Sequence, residues 1–183
     1  ISYSTKEIDL LKGKYCIEIP NKEVKQEFIK LTEYQLGLSS GTLDTVTESL
    51  TKEDQETFFE SYQEILMVQS CHDLEKENSY HMMMLGMCLC LDKYYKVIYN
   101  REEGKGRCDL IIQAHDEKKT LFIIEFKYFK EDKKNFEKAL DKLSNEAIQQ
   151  IKYNKYDYGL KGKVIYIGLA HHGKDVSIKW VER

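Results

Sequence analysis

Two apolar segments in the middle of the chain have the pattern of neighbouring strands. Residues 106–112 and 121–127 are rich in Ile, Leu and Phe, and the polar segment 115–119 lies between them. A short polar break between two such runs is typical of a β-hairpin. Apolar runs outside the hairpin predict three further strands, at residues 95–99, 164–170 and 176–180. The last of these alternates like an edge strand.

Apolar residues at helical spacing predict four helices around these strands. In chain order, the predicted helices cover residues 22–38, 52–66, 77–91 and 133–153. Asn21 can cap the first, and the glycines within residues 37–41 loosen its end. Glu53 and Asp54 lie in the first turn of the second helix, where acidic side chains suit the helix dipole. The order of helix, three strands, helix and two strands predicts an α/β fold with a mixed central sheet.

The length of the chain favours one compact domain. With 183 residues it can bury a core of its own. We expect residues 1–70 to form a helical support region, in which residues 2–19 are irregular or a short strand, and residues 71–183 to form the core. The chain begins with Ile1 rather than Met, so we expect it to be a fragment of a longer protein.

Three charged residues stand out in the central strands. Alternation places Glu125 and Lys127 on one side of their strand while Phe126 faces the core, and Asp109 lies beside them if the strands pair. An ionised carboxylate in so apolar a strand is costly without a cation or hydrogen-bond donors. Two carboxylates and an ammonium can hold Mg²⁺ or Mn²⁺ and a phosphodiester, with the lysine orienting the attacking water. The alternatives are a turn-capping Asp109 and a solvent-facing Lys127.

Five cysteines without a framework spacing are typical of a reducing compartment. We therefore expect a cytoplasmic location, with secretion as an effector left open. A zinc site is one alternative for a group of cysteines and histidines, namely Cys71, His72, His81, Cys88 and Cys90. Structural zinc sites prefer Cys-x-x-Cys knuckles, so buried, inert thiols are the favoured interpretation.

Charge is divided unevenly along the chain. Residues 1–92 contain 8 basic and 17 acidic side chains, whereas residues 93–183 contain 20 basic and 14 acidic ones. The half with the strand motif is therefore positive although the whole chain has a net charge of −3. A polyanion such as nucleic acid would be drawn to that half. Lysines on solvated helix faces are the plainer explanation for part of the excess.

Several short motifs, in a fixed order, resemble the PD-(D/E)XK nuclease superfamily. More narrowly, they resemble the subfamily found after an AAA-ATPase-like module in bacterial proteins. The similar segments are Ile19-Pro20-Asn21-Lys22-Glu23-Val24, Glu77-Asn78-Ser79-Tyr80-His81, Asn100-Arg101-Glu102, Gly104-x-Gly106-Arg107-x-Asp109, Ile124-Glu125-Phe126-Lys127, and Glu146-Ala147-x-x-Gln150-Ile151 with Tyr156. A single Asp and Glu-x-Lys arise often by chance, whereas the ordered set is specific.

The resemblance implies a restriction-endonuclease-like fold and roles for further residues. It places a metal-supporting acid at Glu77 and a motif residue at His81. It also places Gln150 over the site, against the substrate or a water. The plainer alternatives are an ordinary first-turn acid, a half-buried histidine and a solvent-facing glutamine. The resemblance also implies an AAA-ATPase-like module before this chain, since the chain itself has no P-loop.

Nucleic-acid contacts are expected near the motif strands and the end of the last helix. Arg107 can contact phosphate, and Lys152 and Tyr156 belong to an alternation of basic and aromatic residues with Tyr153 and Lys155. Such an alternation can grip a single strand by stacking and charge. A packing cluster at the helix end is the alternative.

The sequence therefore predicts a metal-dependent nuclease that hydrolyses phosphodiester bonds, with DNA as its substrate. The first alternative is a lapsed nuclease-fold module that binds nucleic acid or protein in a larger ATPase-linked or host-interaction protein. A second alternative is a structural partner that docks on an ATPase-like domain through the acidic half of the chain.

Overall fold

The computed structural model describes residues 4–9, 14–18, 21–70, 74, 76–91, 94–130 and 136–183, the first two ranges as backbone alone. The helices are α1 (Lys22–Leu36), α2 (Thr42–Thr51), α3 (Gln55–Val68), α4 (Glu77–Met87) and α5 (Phe136–Asn154). The strands are β1 (Ser4–Asp9), β2 (Lys14–Glu18), β3 (Tyr95–Glu103), β4 (Gly106–Ala114), β5 (Leu121–Tyr128), β6 (Val164–His172) and β7 (Asp175–Glu182). Ile19, Pro20, Cys71, His72 and the predicted helix start at residue 133 lie outside the described residues.

The described strands form two sheets. β1 and β2 make an antiparallel hairpin, where the sequence predicts irregular structure or a short strand. The other five lie in the order β3-β4-β5-β6-β7, with β5 and β6 parallel and the remaining neighbours antiparallel. The mixed sheet flanked by helices confirms the predicted α/β class and is consistent with a restriction-endonuclease-like fold. β7 lies at one edge of the sheet, as its alternation predicts.

Two buried clusters lie on opposite faces of this sheet. On one face α2, α3 and α4 pack against residues such as Phe122 and Phe126 of β5. On the other, α5 packs through Ile148 and Ile151 against Ile123 of the same strand. α5 is also the crossover between the parallel strands β5 and β6. The face of β5 that carries odd-numbered residues is therefore the face covered by α5.

The prediction missed α2 and extended α1 too far. Gly37, with φ of 69°, ends α1, and its backbone N–H donates to the Glu33 and Tyr34 carbonyls of the last turn. α2 has several Ser and Thr, which are weak helix formers. Its N-terminus is capped from outside, because the buried Glu33 carboxylate accepts the N–H groups of Gly41 (2.9 Å) and Leu43 (3.1 Å). A cap from a residue of the preceding helix gives no local signal in the sequence.

The other helix ends differ from the predictions by a few residues. Asn21 caps α1 through a bond of 2.9 Å from the Val24 N–H, as predicted. Asp54 is the cap of α3 rather than a residue of its first turn, since its carboxylate accepts the Thr57 N–H at 3.1 Å. α4 ends at Met87 and continues as a 3₁₀ turn over Cys88–Leu91. No helix among the described residues is long and apolar enough to cross a membrane.

Candidate active site

Strand β5 presents its charged side chains to the face covered by α5. Glu125 is only 2 % exposed and Lys127 is half-buried, while Phe126 lies in the core on the opposite face. The Lys127 Nζ atom is 3.2 Å from Glu125 Oε1. This is the arrangement that strand alternation predicts for Glu-x-Lys.

Asp109 lies where β4 and β5 stop pairing. The ladder runs from Ile112↔Phe122 to Leu110↔Ile124, and one further step in the same register would place Asp109 opposite Glu125. There the Asp109 Oδ2 atom accepts the backbone N–H of Phe126 at 2.9 Å. On the other side, Asn100 of β3 has a φ of 51°, and the β3–β4 ladder skips that position. The carboxylate thus occupies a gap where the strands separate.

The surroundings of Glu125 disfavour its charge. Burial, and next the nearby Asp109 carboxylate, raise the pKa of Glu125 from 4.5 to about 7, against the opposing effect of the Lys127 ammonium. The Glu125 Oε2 atom is buried and has no hydrogen-bond partner among the described residues. A buried, unpartnered carboxylate oxygen is expensive unless a cation or donor reaches it.

Gln150 of α5 lies directly against this carboxylate. Its Nε2 atom donates to Glu125 Oε1 and to the Tyr156 hydroxyl, the latter at 3.3 Å. The Tyr156 hydroxyl donates in turn to the Arg107 carbonyl at 2.7 Å and accepts from Asn154 Nδ2 at 2.9 Å. These bonds connect the end of α5 to the start of β4. The sequence predicts Gln150 near the site but gives no indication of Asn154.

Tyr156 does not suit the predicted contact with nucleic acid. It is 1 % exposed, packs with Ile151 and Cys108, and its hydroxyl bonds to protein atoms. No base could stack on it without opening the core, so its role is packing, and that prediction is wrong. The helix-end cluster weighed as the alternative is correct for this residue. Arg107 and Lys152, by contrast, have exposed side chains.

His81 and Glu77 approach the site from α4. The Nε2 atom of His81 is buried and has no hydrogen-bond partner in the described part of the chain; it lies 3.7 Å from Asp109 Oδ2 and 4.0 Å from Glu77 Oε1. The His81 ring packs 4.4 Å from the Phe126 ring, so the strand that carries Glu125 also supports the histidine. Glu77 is exposed at the start of the helix. The spacing of four residues between Glu77 and His81 is the sequence signal that puts both on one helix face.

His171 is a buried histidine that the sequence does not single out. Its Nε2 atom lies 2.9 Å from the Tyr62 hydroxyl, and its ring stacks on Tyr80 at 3.9 Å. Burial lowers the pKa of His171 to about 3, so the ring is neutral at ordinary pH. It belongs to the core between β6 and the helices α3 and α4.

The two carboxylates fit a hard divalent ion better than a closed metal cage. Among the described residues, no group of three or more His, Cys, Asp and Glu side chains is placed to hold a metal ion. Mg²⁺, however, is commonly bound by one or two carboxylates, with water and substrate phosphate as its other ligands. Asp109 and Glu125, with its unpartnered oxygen, supply that donor set. Burial raises the pKa of Cys88 to about 12 and that of Cys90 to about 11, which suits inert thiols rather than zinc ligands.

The fold and this cluster together define a restriction-endonuclease-like protein. A family model of the PD-(D/E)XK nuclease superfamily matches residues 75–181, which is more than half of the chain. The chain therefore belongs to this superfamily, which points to a nuclease. The match begins two residues before α4, ends in β7 and includes every candidate site residue. A search of curated proteins gave no significant match.

Proposed function

We propose that this chain is a metal-dependent nuclease that hydrolyses phosphodiester bonds of DNA, with Mg²⁺ or Mn²⁺ held by Asp109 and Glu125. The observation that carries the proposal is the Glu125 carboxylate, which is buried beside Asp109 and has one oxygen without a partner among the residues that the structure describes. Such a carboxylate is stabilised when a cation occupies the space between it and its neighbour. Glu77 would support the ion through a water, since its carboxylate faces the same histidine as Asp109.

When bound, the ion would lower the pKa of a coordinated water and stabilise negative charge on the reacting phosphate. Lys127 would orient the attacking water, because its ammonium lies 3.2 Å from Glu125 on the same face of β5. An ammonium has three donors and carries positive charge, so it can hold a water and attract a phosphate oxygen. The Lys127 ammonium and the metal ion are both positively charged, so Lys127 would lie beside the metal ligand Glu125 and would not itself bind the ion.

Gln150 would position the Glu125 carboxylate. Its amide donates to Glu125 Oε1, the oxygen that Lys127 also contacts, and so turns Oε2 away from these two donors. The bonds to Tyr156 and from there to Arg107 hold the amide in place. Arg107 and Lys152, with exposed side chains, are the proposed phosphate contacts. The positive charge of residues 93–183 supports a polyanionic substrate.

A cleavage assay tests the proposal. Circular and linear DNA, and RNA of the same sequence, are incubated with Mg²⁺, Mn²⁺ or EDTA, with Lys127→Ala as the parallel variant. Cleavage of DNA that requires the cation and falls sharply in Lys127→Ala is the expected result. Cation-independent cleavage, or equal cleavage by the variant, would contradict the proposed site. Cation binding without cleavage would favour the lapsed binding module instead, and a preference for RNA would change the substrate class.

We further propose that an AAA-ATPase-like module precedes this nuclease in a longer protein that acts inside the cell. The resemblance of the motif set supports the module, and five cysteines without a framework spacing support a reducing compartment. The acidic residues within 1–92 would offer a docking face. The upstream reading frame tests the module, because an ATPase of this type carries the sequence Gly-x-x-x-x-Gly-Lys-Ser/Thr.

A further inference from the structure

Tyr153 differs from the other tyrosine at the end of α5. It is 77 % exposed, whereas Tyr156, three residues later, is buried. Tyr153 also follows Gln150 by three residues, so the two side chains lie on one face of the helix about 4.5 Å apart along its axis. Gln150 in turn touches Glu125. An exposed aromatic ring therefore stands roughly one helical turn from the carboxylate site.

An open depression of about 670 Å³ lies on α5 beside the Tyr153 ring. It is lined by Glu146, Gln149, Gln150, Lys152 and Tyr153. Gln150 thus contacts the candidate metal ligand and also lines the depression. The one carboxylate in the lining, Glu146, is 3.5 Å from Lys142 Nζ, which offsets part of its charge. The space next to Tyr153 is therefore open to a nucleic-acid strand that passes Gln150.

A lysine on a fixed turn stands over the tyrosine. The Lys105 Nζ atom is 5.9 Å from the centroid of the Tyr153 ring. The Lys105 backbone N–H donates to the Asn154 carbonyl at 2.8 Å. Gly104 has a φ of 58°, and a Cβ there would lie 2.0 Å from the same carbonyl. Contact with α5 thus places the β3–β4 turn, so that the backbone of Lys105 is held beside Tyr153.

An exposed tyrosine between two lysines has the chemistry of a stacking site for a nucleobase. Base–aromatic stacking is tolerant of sequence, and flanking cations attract the phosphates. A duplex offers no free base face, because its bases already stack on one another, and unstacking costs free energy. An unpaired strand offers such faces directly. The distance of about 4.5 Å along the helix axis between Gln150 and Tyr153 is comparable to one nucleotide step of about 3.4 Å.

We propose that Tyr153, with Lys105 and Lys152, stacks an unpaired base one or two nucleotides from the phosphodiester at Asp109 and Glu125, so that this protein acts on single-stranded or frayed nucleic acid. The inference rests on the proposed function, since it names the substrate class of that site. It assigns Tyr153 to substrate binding and Tyr156 to packing, although the sequence presents them as one alternation.

Binding and cleavage measured together test the inference. Fluorescence anisotropy compares an unstructured single strand with the duplex of the same sequence, in EDTA so that nothing is cleaved. Tyr153→Ala should weaken single-strand binding roughly five- to hundredfold, while Tyr153→Phe, which keeps the ring, should retain wild-type affinity. The matched control is Tyr34→Ala on α1, because Tyr34 is 78 % exposed and lies outside the site. That control should leave both affinities unchanged.

The salt dependence separates stacking from charge. Lys105→Gln should reduce the slope of log affinity on log salt by about 0.7 for the single strand, whereas Tyr153→Ala should lower affinity with the slope unchanged. Wild-type protein that binds the duplex as tightly as the single strand would overturn the inference. So would a Tyr153→Ala variant with wild-type single-strand affinity, even if the protein cleaves DNA. If Tyr153→Ala loses single-strand affinity but the wild type never cleaves, the stacking role of Tyr153 is supported and the proposed nuclease activity is contradicted.

Discussion

The Asp109 carboxylate accepts the backbone N–H of Phe126 at 2.9 Å, at the point where β4 and β5 cease to pair. This bond replaces a ladder bond that the separating strands no longer make. It also sets the distance between Asp109 and Glu125, because Glu125 and Phe126 are neighbours on β5. One contact thus satisfies the strand backbone and brings the second carboxylate to the first.

The contact changes what is expected from removing Asp109. Repulsion between two carboxylates suggests that deleting either is neutral or stabilising. Asp109→Ala, however, leaves the Phe126 N–H without its acceptor, which should lower the free energy of unfolding by about 1–3 kcal/mol. Asp109→Asn keeps an acceptor oxygen and should be close to wild type in stability. Chemical denaturation of the two variants without metal checks this, and both should lose cleavage. Equal stability of the two variants would mean that the bond contributes nothing.

The raised pKa of Glu125 predicts a pH-dependent stability of the metal-free protein. The pKa is about 7 when folded against 4.5 for the free side chain, so the folded state keeps a proton that the unfolded chain releases in between. The free energy of unfolding should therefore fall as pH rises from about 4.5 to about 7, by on the order of 3 kcal/mol. Thermal unfolding in EDTA across this range measures it. Glu125→Gln should remove this part of the pH dependence. If the stability of that variant still fell with pH as in the wild type, Glu125 would not be the cause.

Lys127 should separate catalysis from binding. Its ammonium contacts Glu125 but cannot ligate a cation, so Lys127→Met should keep divalent-cation binding while turnover falls by on the order of 10² to 10⁴. Calorimetry at pH 8.5, above the raised pKa of Glu125, measures cation binding without interference from protonation. Lys30→Met on α1, which removes an exposed lysine paired with Glu27, is the control and should change neither quantity. If Lys127→Met lost nucleic-acid affinity in proportion to its loss of turnover, Lys127 would be a phosphate contact and not a catalytic residue.

Gly104 should be far less replaceable than Gly173. The two have nearly the same backbone, with φ of 58° and 57°, but a Cβ at Gly104 would meet the Asn154 and Lys155 carbonyls, whereas one at Gly173 would meet nothing within 4 Å. Gly173→Ala should cost about 1–2 kcal/mol for the left-handed conformation alone. Gly104→Ala adds a displacement of the β3–β4 turn and should cost more. Denaturation midpoints of both variants give the difference, and equal midpoints would show that the turn is not held tightly on α5.

The sequence predicts the fold class and the faces of its strands well, because both depend on local rules. Side chains alternate along a strand, so Glu125 and Lys127 share a face in any sheet that contains β5. The Asn21 cap is likewise confirmed, since a cap and its helix are adjacent in sequence. The same local rules did not predict α2. Its cap is Glu33, a residue on another helix, and its own residues are weak helix formers.

The sequence by itself determined that two carboxylates and a lysine sit on neighbouring strands of an α/β sheet. Only the tertiary structure decided how they meet, through the Asp109 bond to Phe126 and the Gln150 bond to Glu125. It also separated Tyr153 from Tyr156, which look equivalent along the chain. Tyr156 packs in a buried cluster and its hydroxyl donates to the Arg107 carbonyl, 49 residues earlier, while Tyr153 is exposed on α5. Such contacts depend on which elements come together in space, and no local pattern of residues encodes that.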